Sequence, residues 1–244
     1  MSTELRAIFF DLGGTLFSYR DVPRRSMPLI LAAGERLGVT AEPRELGRAY
    51  RAASRDAFSE YAPRPYYLHR DLFRETYRGF AERLGAEATE DFLDWFHEAQ
   101  RQVMIDGMEL RDDCLDTLAE LRKRGLGTSI VSNIDDDYLI PMVEQSGLHE
   151  VLDHWMSSEE AKSCKPDPGF FEHALEKQGC RAGEVLFVGD SREHDIVGAR
   201  GVGMTSVLIV EPGVSAPTGE SLPTADPHHE INQLAELIEL VKRR

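Results

Sequence analysis

Cysteine is scarce in this chain, and the few cysteines follow no common pairing pattern. Among 244 residues there are three, Cys114, Cys164 and Cys180, an odd number with wide spacing and no CxxC pair. Neither a disulfide framework nor a zinc site of the usual spacing is expected from them. This cysteine usage therefore indicates a protein of the reducing cytoplasm.

Long apolar runs and an excess of basic residues are also lacking. No apolar run approaches the roughly 20 residues of a membrane span, and the N-terminal MSTELRAIFF has no signal-peptide core. The 43 Asp and Glu outnumber the 28 Lys and Arg, which gives a net charge of −15. This charge argues against nucleic acid and anionic membranes as partners. A small anionic substrate remains compatible with it, because a bound metal ion can dominate the local field.

The stretch that organises the chain is a short apolar run followed by Asp-Leu-Gly-Gly-Thr. Four apolar residues at 7–10 without polar alternation predict a strand buried on both faces, as in a parallel sheet. Asp11 follows directly, and ligands of such sheets bind at the carboxyl ends of the strands. Gly13 and Gly14 would let backbone N–H groups approach an anion. The alternative is a plain turn, in which Asp11 bonds only its own loop.

The rest of the chain divides into a helical part and an alternating part. Apolar residues recur at helical spacing at 27–37, 43–61, 72–84 and 89–103, which predicts a small helical bundle. From Asp112 onward the pattern alternates, with strands expected at 126–131, 155–156, 185–188 and 207–210 and a closing amphipathic helix over Ile231–Val241. Repeated strand–helix units predict an α/β fold, with helices on both faces of a parallel sheet.

One connection in the helical part is unusual. Between residues 61 and 70, two prolines interrupt the helical pattern and are accompanied by aromatic and cationic residues, among them Arg64, Tyr66, His69 and Arg70. Two interpretations remain open, an exposed linker whose aromatic rings pack on the bundle and a loop that selects substrate.

Three further stretches place polar side chains at or beside strand ends. They are Ser132-Asn133, the Lys165-Pro-Asp-Pro segment, and the segment from Gly189 to Asp195 that contains Asp190. Each has an ordinary structural explanation as a helix cap or a solvated charge. Together with Asp11 they would project from one edge of one sheet, which favours a functional site.

In this order and spacing, the four motifs resemble those of the haloacid dehalogenase superfamily, over nearly the whole chain. The resemblance implies a Rossmann-like core made of residues 1–17 and 108–244, and an inserted helical cap of the C1 type over residues 18–107. It also extends to the hydrolase-domain-containing type 3 group within that superfamily. The chemistry that it implies is Mg²⁺-dependent phosphoryl transfer through an aspartyl-phosphate.

The resemblance also assigns roles to individual residues. Asp11 would be the nucleophile, with Ser132 and Lys165 assisting catalysis. Mg²⁺ prefers oxygen ligands, and its expected ligands are Asp11, the carbonyl of Gly13, Asp190 and Asp195. The residues expected to bind the phosphate or the rest of the substrate are Ser132, Asn133, Gly14, Thr15, Lys165, Arg64 and His69.

One position departs from the family pattern. Phosphatases of this superfamily carry a second aspartate two residues after the nucleophile, where this chain has Gly13. Loss of general acid–base help typically costs ~10²–10⁴ in rate. A substrate with a good leaving group would tolerate the loss. Alternatively, another side chain replaces the acid, and the candidates are His194, Asp135, His69 and Tyr66.

The favoured hypothesis is therefore a Mg²⁺-dependent phosphohydrolase of a small phosphorylated metabolite. The main alternative is a non-catalytic or regulatory relative that binds a ligand or partner, which the glycine at position 13 favours. A 2-haloacid dehalogenase is less favoured, since its chemistry would leave the acidic pair Asp190 and Asp195 without a metal to bind. Neither the metabolite nor the oligomeric state follows from the sequence.

Overall fold

The computed structural model describes residues 4–107, 109–214 and 223–242, and its centre is a parallel β-sheet. The strands in chain order are β1 (Ala7–Phe10), β2 (Phe17–Ser18), β3 (Glu109–Leu110), β4 (Gly127–Ser132), β5 (His154–Ser157), β6 (Val185–Gly189), β7 (Thr205–Ile209) and β8 (His229–Ile231). Within the described residues, six of these form one sheet in the order β5-β4-β1-β6-β7-β8. The predicted α/β fold with a parallel sheet is confirmed.

Helices cover both faces of this sheet and form a separate layer near its carboxyl edge. Their bounds are α1 (Val22–Arg36), α2 (Pro43–Tyr61), α3 (His69–Arg83), α4 (Glu90–Gly107), α5 (Cys114–Lys123), α6 (Asp136–Gln145), α7 (Ser158–Ala161), α8 (Pro168–Gln178), α9 (Val197–Gly201) and α10 (Leu237–Lys242). In the described part of the chain, no helix combines the length and apolar character that crossing a membrane requires.

Strand β1 lies between β4 and β6 in the sheet, and all four of its side chains are buried. Ile8 and Phe10 belong to the apolar cluster that includes Leu118 of α5. Ala7 and Phe9 point to the opposite face, where they belong to the cluster that includes Phe170 of α8. A strand that is apolar on both faces can lie only between two helical layers.

The register of the sheet determines which residues meet at its carboxyl edge. Phe10 is level with Ile130 on β4 and with Val188 on β6. The backbone N–H of Asp11 then donates to the carbonyl of Val188 at 2.9 Å. Ser132 and Asp190 follow within two residues on the neighbouring strands, so the three polar side chains lie along one edge.

Helices α1 to α4 pack around their own aromatic core, and we call them the four-helix layer. The rings of Tyr77 and Phe96 stack with centroids 4.2 Å apart. Helix α2 has the predicted bounds, and Thr89 accepts from the N–H of Phe92 at 3.3 Å, as expected for the start of α4. The layer joins the sheet through the antiparallel ribbon β2–β3, in which Phe17 pairs with Leu110.

The C-terminal segment differs from the prediction. Ile231 lies in strand β8, where it pairs with Ile209 of β7, and helix α10 begins only at Leu237. The predicted helix over Ile231–Val241 was therefore wrong in its first half. Strand β8 has three residues, which are too few to show the alternation of a strand. The spacing of the apolar residues Ile231 and Leu234 resembles that of a helical face instead. The sequence between β7 and β8 is rich in proline, glycine and serine, which predicts a loop over residues 211–227. Residues 215–222 of that loop lie outside the described residues.

Candidate active site

The carboxylate of Asp11 lies at the end of β1 with only 8% of the residue exposed. Its Oδ1 accepts two hydrogen bonds, from the hydroxyl of Ser132 at 2.8 Å and from Nζ of Lys165 at 2.5 Å. Within the described residues, no hydrogen bond is made to Oδ2. The carboxylate is thus held through one oxygen, and the other is available to react.

Lys165 is the cation of the site and is 3% exposed. Its Nζ lies 2.5 Å from Oδ1 of Asp11 and 2.6 Å from Oδ1 of Asp195. Burial alone would lower the pKa of this amine, but the two carboxylates outweigh burial and raise the pKa above its ordinary value. Lys165 is therefore charged at neutral pH.

The backbone of Lys165 is fixed by two neighbouring side chains. Asn133 donates from Nδ2 to the carbonyl of Lys165 at 3.0 Å, and its Oδ1 accepts the N–H of Lys165 at 2.7 Å. His194 places Nδ1 at 3.1 Å from the same carbonyl. Burial lowers the pKa of His194, so its ring is neutral near pH 7. Asn133 was predicted to bind phosphate, whereas its amide here holds the lysine in place.

Asp190 and Asp195 complete an acidic cluster beside Asp11. Each of the three carboxylates offers one oxygen that lies within 4.8 Å of the other two. Asp195 also accepts the N–H of Ser191 at 3.0 Å. Burial, Asp11 and Asp195 raise the pKa of Asp190 well above its ordinary value, although Lys165 acts in the opposite direction. Three acids against one amine leave an excess of negative charge that a divalent cation would neutralise.

The loop after Asp11 requires its second glycine. Gly14 has a φ of +75°, and a Cβ added there would lie 2.1 Å from Oδ2 of Asp190. A side chain at this position would both strain the backbone and displace a carboxylate of the cluster. Thr15 is fully buried and does not line the cavity at the site. The predicted contacts of Gly14 and Thr15 with phosphate therefore rest on their backbone N–H groups.

Gly13 lies against a residue that the sequence did not identify, Tyr19. A Cβ added at Gly13 would lie 2.2 Å from the hydroxyl oxygen of Tyr19 and 2.9 Å from its Cζ. Burial raises the pKa of this phenol, and the nearby carboxylates, Asp190 foremost, raise it further. No motif or spacing pointed to Tyr19, because it belongs to the short connection between β2 and α1.

A cavity of about 280 Å³ joins these residues to the four-helix layer. Its floor contains Asp11, Ser132, Lys165 and Asp190. The walls from the helical layer are mainly apolar, formed by Val22, Tyr50, Phe58, Phe73, Val103 and Met104. A small anion can therefore lie at the floor, while an apolar part of the same molecule contacts the walls.

The predicted residues of the helical part have different positions. His69 lines the cavity, as a substrate-binding residue should. Arg64 is not among the residues that line the cavity, and its contact with substrate stays a prediction. Its guanidinium lies 3.8 Å from the ring centroid of Tyr61 and pairs with Glu60 at 2.6 Å, one turn earlier. Local partners on α2 thus hold Arg64 outside the site.

Asp135, a candidate for the missing acid, has another role. Its two oxygens accept the backbone N–H groups of His69 and Arg70 at 2.8 and 2.9 Å. Burial would raise its pKa, but these hydrogen bonds and His69 outweigh burial and lower it. The ionised carboxylate caps the N-terminus of α3 and attaches the four-helix layer to the sheet side. Tyr66 also does not line the cavity, which leaves His69 and His194 of the four candidates beside it.

Comparison with known proteins gives matches along the whole chain. Residues 5–203 match the family described as haloacid dehalogenase-like hydrolase. A ribulose-1,5-bisphosphate 5-phosphatase of Halopiger xanaduensis is 29% identical and covers 96% of this chain and 98% of its own. The human haloacid dehalogenase-like hydrolase domain-containing protein 3 is 32% identical, with 96% and 93% covered. The (S)-2-haloacid dehalogenase 4A of Burkholderia cepacia is 27% identical, with 100% and 97% covered.

Proposed function

The chain belongs to the haloacid dehalogenase-like hydrolase family, and from this premise we propose that it is a Mg²⁺-dependent phosphohydrolase of a small phosphorylated metabolite. The observation that carries the proposal is the acidic cluster of Asp11, Asp190 and Asp195, in which Lys165 contacts two of the three carboxylates with a single positive charge. Hydrolysis at a carbon–halogen bond needs no such cluster, whereas a phosphoryl group brings negative charge that a cation must offset.

Asp11 carries the covalent step in this proposal. Its free Oδ2 attacks phosphorus, a bond forms between them, and the bond from phosphorus to the leaving oxygen breaks with its electron pair on that oxygen. Ser132 and Lys165 hold Oδ1 and keep the carboxylate oriented for the attack. Water then attacks phosphorus, and the bond between phosphorus and Oδ2 breaks with its electron pair on Oδ2, which restores the carboxylate of Asp11. Both protons of the water end on phosphate oxygens.

The donor set fits Mg²⁺ by its chemistry. It consists of oxygen atoms from Asp11, Asp190 and Asp195. Burial first, and then repulsion by Asp11 and Asp195, raises the pKa of Asp190, and a divalent cation would relieve that repulsion. The carbonyl of Gly13 is the fourth proposed ligand. A bound Mg²⁺ would supply charge neutralisation for phosphate and nucleophile. Lys165 contributes to the same end through its own charge, beside Oδ1 of Asp11.

We assign the four-helix layer the part of a mobile cap over residues 18–107, with residues 1–17 and 108–244 as the core. The cavity lies between the two, so their separation would widen the path by which substrate enters. The segments Phe17–Asp21 and Ile105–Arg111, which contain the two strands of the ribbon β2–β3, are the proposed hinges. The cytoplasm remains the proposed location, since all three cysteines are free.

The test is release of phosphate from acetyl phosphate, p-nitrophenyl phosphate and simple sugar phosphates, with Mg²⁺ or with EDTA. We expect Mg²⁺-dependent release that Asp11→Asn abolishes and that Asp91→Asn, an exposed carboxylate on α4, leaves unchanged. Chloride release from 2-chloropropionate in EDTA is measured in parallel, because a dehalogenase is among the relatives.

Each other outcome would contradict the proposal in a distinct way. Chloride release that depends on Asp11 without Mg²⁺ would establish a dehalogenase. Mg²⁺ binding by calorimetry without turnover of any phosphate would favour the non-catalytic ligand-binding alternative, which the glycine at position 13 supports. Phosphate release that survives Asp11→Asn would remove Asp11 as the nucleophile.

A further inference from the structure

The ring of Tyr19 lies across the two glycines that follow the nucleophile. Its hydroxyl oxygen would be 2.2 Å from a Cβ at Gly13, and its Cε2 would be 2.8 Å from a Cβ at Gly14. Gly13 has no positive φ, so its backbone permits a side chain, and the three nearest atoms that a Cβ would meet all belong to Tyr19. The space that a side chain at position 13 would occupy is thus filled by the end of Tyr19.

Tyr19 is held in this orientation by its two chain neighbours. The hydroxyl of Ser18 donates to both carboxylate oxygens of Glu211, at 2.9 and 2.7 Å, and Arg20 pairs with the same carboxylate at 2.8 Å. With residues 18 and 20 both bound to Glu211, the side chain between them is directed onto the glycines.

The hydroxyl of Tyr19 has no competing protein partner. Within the described residues, none makes a hydrogen bond to it, and Tyr19 lines the cavity together with Asp11, Gly13 and Asp190. A phenol with an ordinary pKa near 10 is neutral at pH 7 and can donate one hydrogen bond. The donor is therefore free for a ligand atom bound next to the nucleophile.

From this placement we infer that Tyr19 is a specificity-determining residue, whose hydroxyl takes the position of a side chain at 13 and hydrogen-bonds the leaving oxygen of the substrate. The inference rests on the proposed phosphohydrolase activity. A hydrogen bond from the neutral phenol stabilises the negative charge that develops on the leaving oxygen, while the proton stays on Tyr19. Since the leaving oxygen departs with the electron pair of its bond to phosphorus, the favoured substrates are acyl and aryl phosphates, which release a carboxylate or a phenolate.

A measurement of thermal stability tests whether Tyr19 fills the space beside Gly13, and it does not depend on enzymatic activity. We expect Gly13→Ala to lower Tm by at least about 2–4 °C in the presence of Tyr19. In a Tyr19→Ala background the same substitution should lower Tm no further. Gly201→Ala is the matched control, because a Cβ there meets nothing within 4 Å and the φ of Gly201 is not positive. Equal Tm losses from Gly13→Ala in both backgrounds would overturn the inference.

A kinetic test at saturating Mg²⁺ measures the role of Tyr19 in the reaction. Tyr19→Phe should lower kcat about tenfold on aryl phosphates, the effect of one lost hydrogen bond, with less loss on acetyl phosphate. Gly13→Asp alone should not raise turnover of alkyl phosphates, whereas Gly13→Asp with Tyr19→Ala should raise it about tenfold or more. An equal gain from Gly13→Asp alone, or an equal loss from Tyr19→Phe on every leaving group, would overturn the inference.

Failure of the proposed function is distinguishable from failure of this inference. If the proposed function is wrong, the wild-type protein shows no phosphate release that depends on Asp11, and the role assigned to Tyr19 is then wrong as well. In the second case the wild-type protein is active, but the Tm changes are additive or the loss from Tyr19→Phe is independent of the leaving group.

Discussion

Replacement of Lys165 by methionine should be the most destabilising single change at the site. Met keeps the length and apolar stem of the side chain but removes the charge that lies 2.5 Å from Asp11 and 2.6 Å from Asp195. The side chains of Lys165 and Asp11 are 2% and 11% exposed, so water cannot replace the lost partner. The variant would retain three neighbouring carboxylates with no cation.

The expected loss follows from that burial. Removal of one partner from a buried ion pair costs about 3–5 kcal/mol, a large part of a total stability of about 5–15 kcal/mol. Added Mg²⁺ should restore part of this loss, because a ligand present at 100 times its Kd stabilises the folded state by about 2.7 kcal/mol. The gain from Mg²⁺ should be larger for the variant than for the wild-type protein.

Urea unfolding followed by circular dichroism, in EDTA and in Mg²⁺, measures both effects. The matched control is Lys177→Met, since Lys177 also lies 2.6 Å from a carboxylate, that of Glu160, but the two side chains are 30% and 39% exposed. An exposed pair of this kind contributes about 0–1 kcal/mol. Similar losses for the two lysines would refute the assignment of Lys165 as a buried counter-charge.

Three further predictions concern the surroundings of the site. Asp135→Ala removes the acceptor of two N–H groups of α3, so proteolysis at 17–21 should become faster, and an unchanged rate would exclude an attachment role. Asn133→Ala should reduce the free energy of unfolding by about 1–3 kcal/mol, measured in urea, since the N–H of Lys165 loses its partner and its carbonyl loses one of two; a smaller loss would mean that water replaces the amide. Since burial lowers the pKa of His194 below 6.5, the unfolded chain binds more protons beneath that pH. Stability should therefore fall as the pH drops below 6.5, and His194→Asn should flatten that part of the profile.

The fold and the residues at the strand ends were predictable because their information is local. The apolar run before Asp11 predicts a buried strand by itself, and parallel strands necessarily end at one edge of their sheet. Ser132 and Asp190 therefore came together with Asp11 as expected, and Lys165 joined them. An apolar run can be recognised in the sequence without knowledge of distant partners, and for this reason the buried strand was predicted correctly.

The remaining features depend on partners that are far away in sequence. Tyr19 faces the glycines because Ser18 and Arg20 bind Glu211, which is 193 residues from Ser18. Asp135 was misread as a candidate acid, since nothing local indicates that the start of α3 lies against it. The position of Arg64 is decided by near neighbours instead, because Tyr61 and Glu60 hold it outside the cavity. Side-chain direction, in each case, was decided by contacts and not by spacing.

The ribbon β2–β3 has a consequence for how this protein can change. Because Phe17 pairs with Leu110, the two ends of the four-helix layer already meet beside the sheet. The ribbon closes the connection between strands β1 and β4 close to the sheet. This connection therefore acts as a short hairpin, whatever the number or length of the helices beyond the ribbon. Loop-closure entropy depends on the open length of a connection, so extra residues within the layer add little cost to pairing of the sheet. Mutations that reshape the apolar walls of the cavity can thus accumulate while the nucleophile keeps its register, and substrate preference is free to diverge separately from the chemistry.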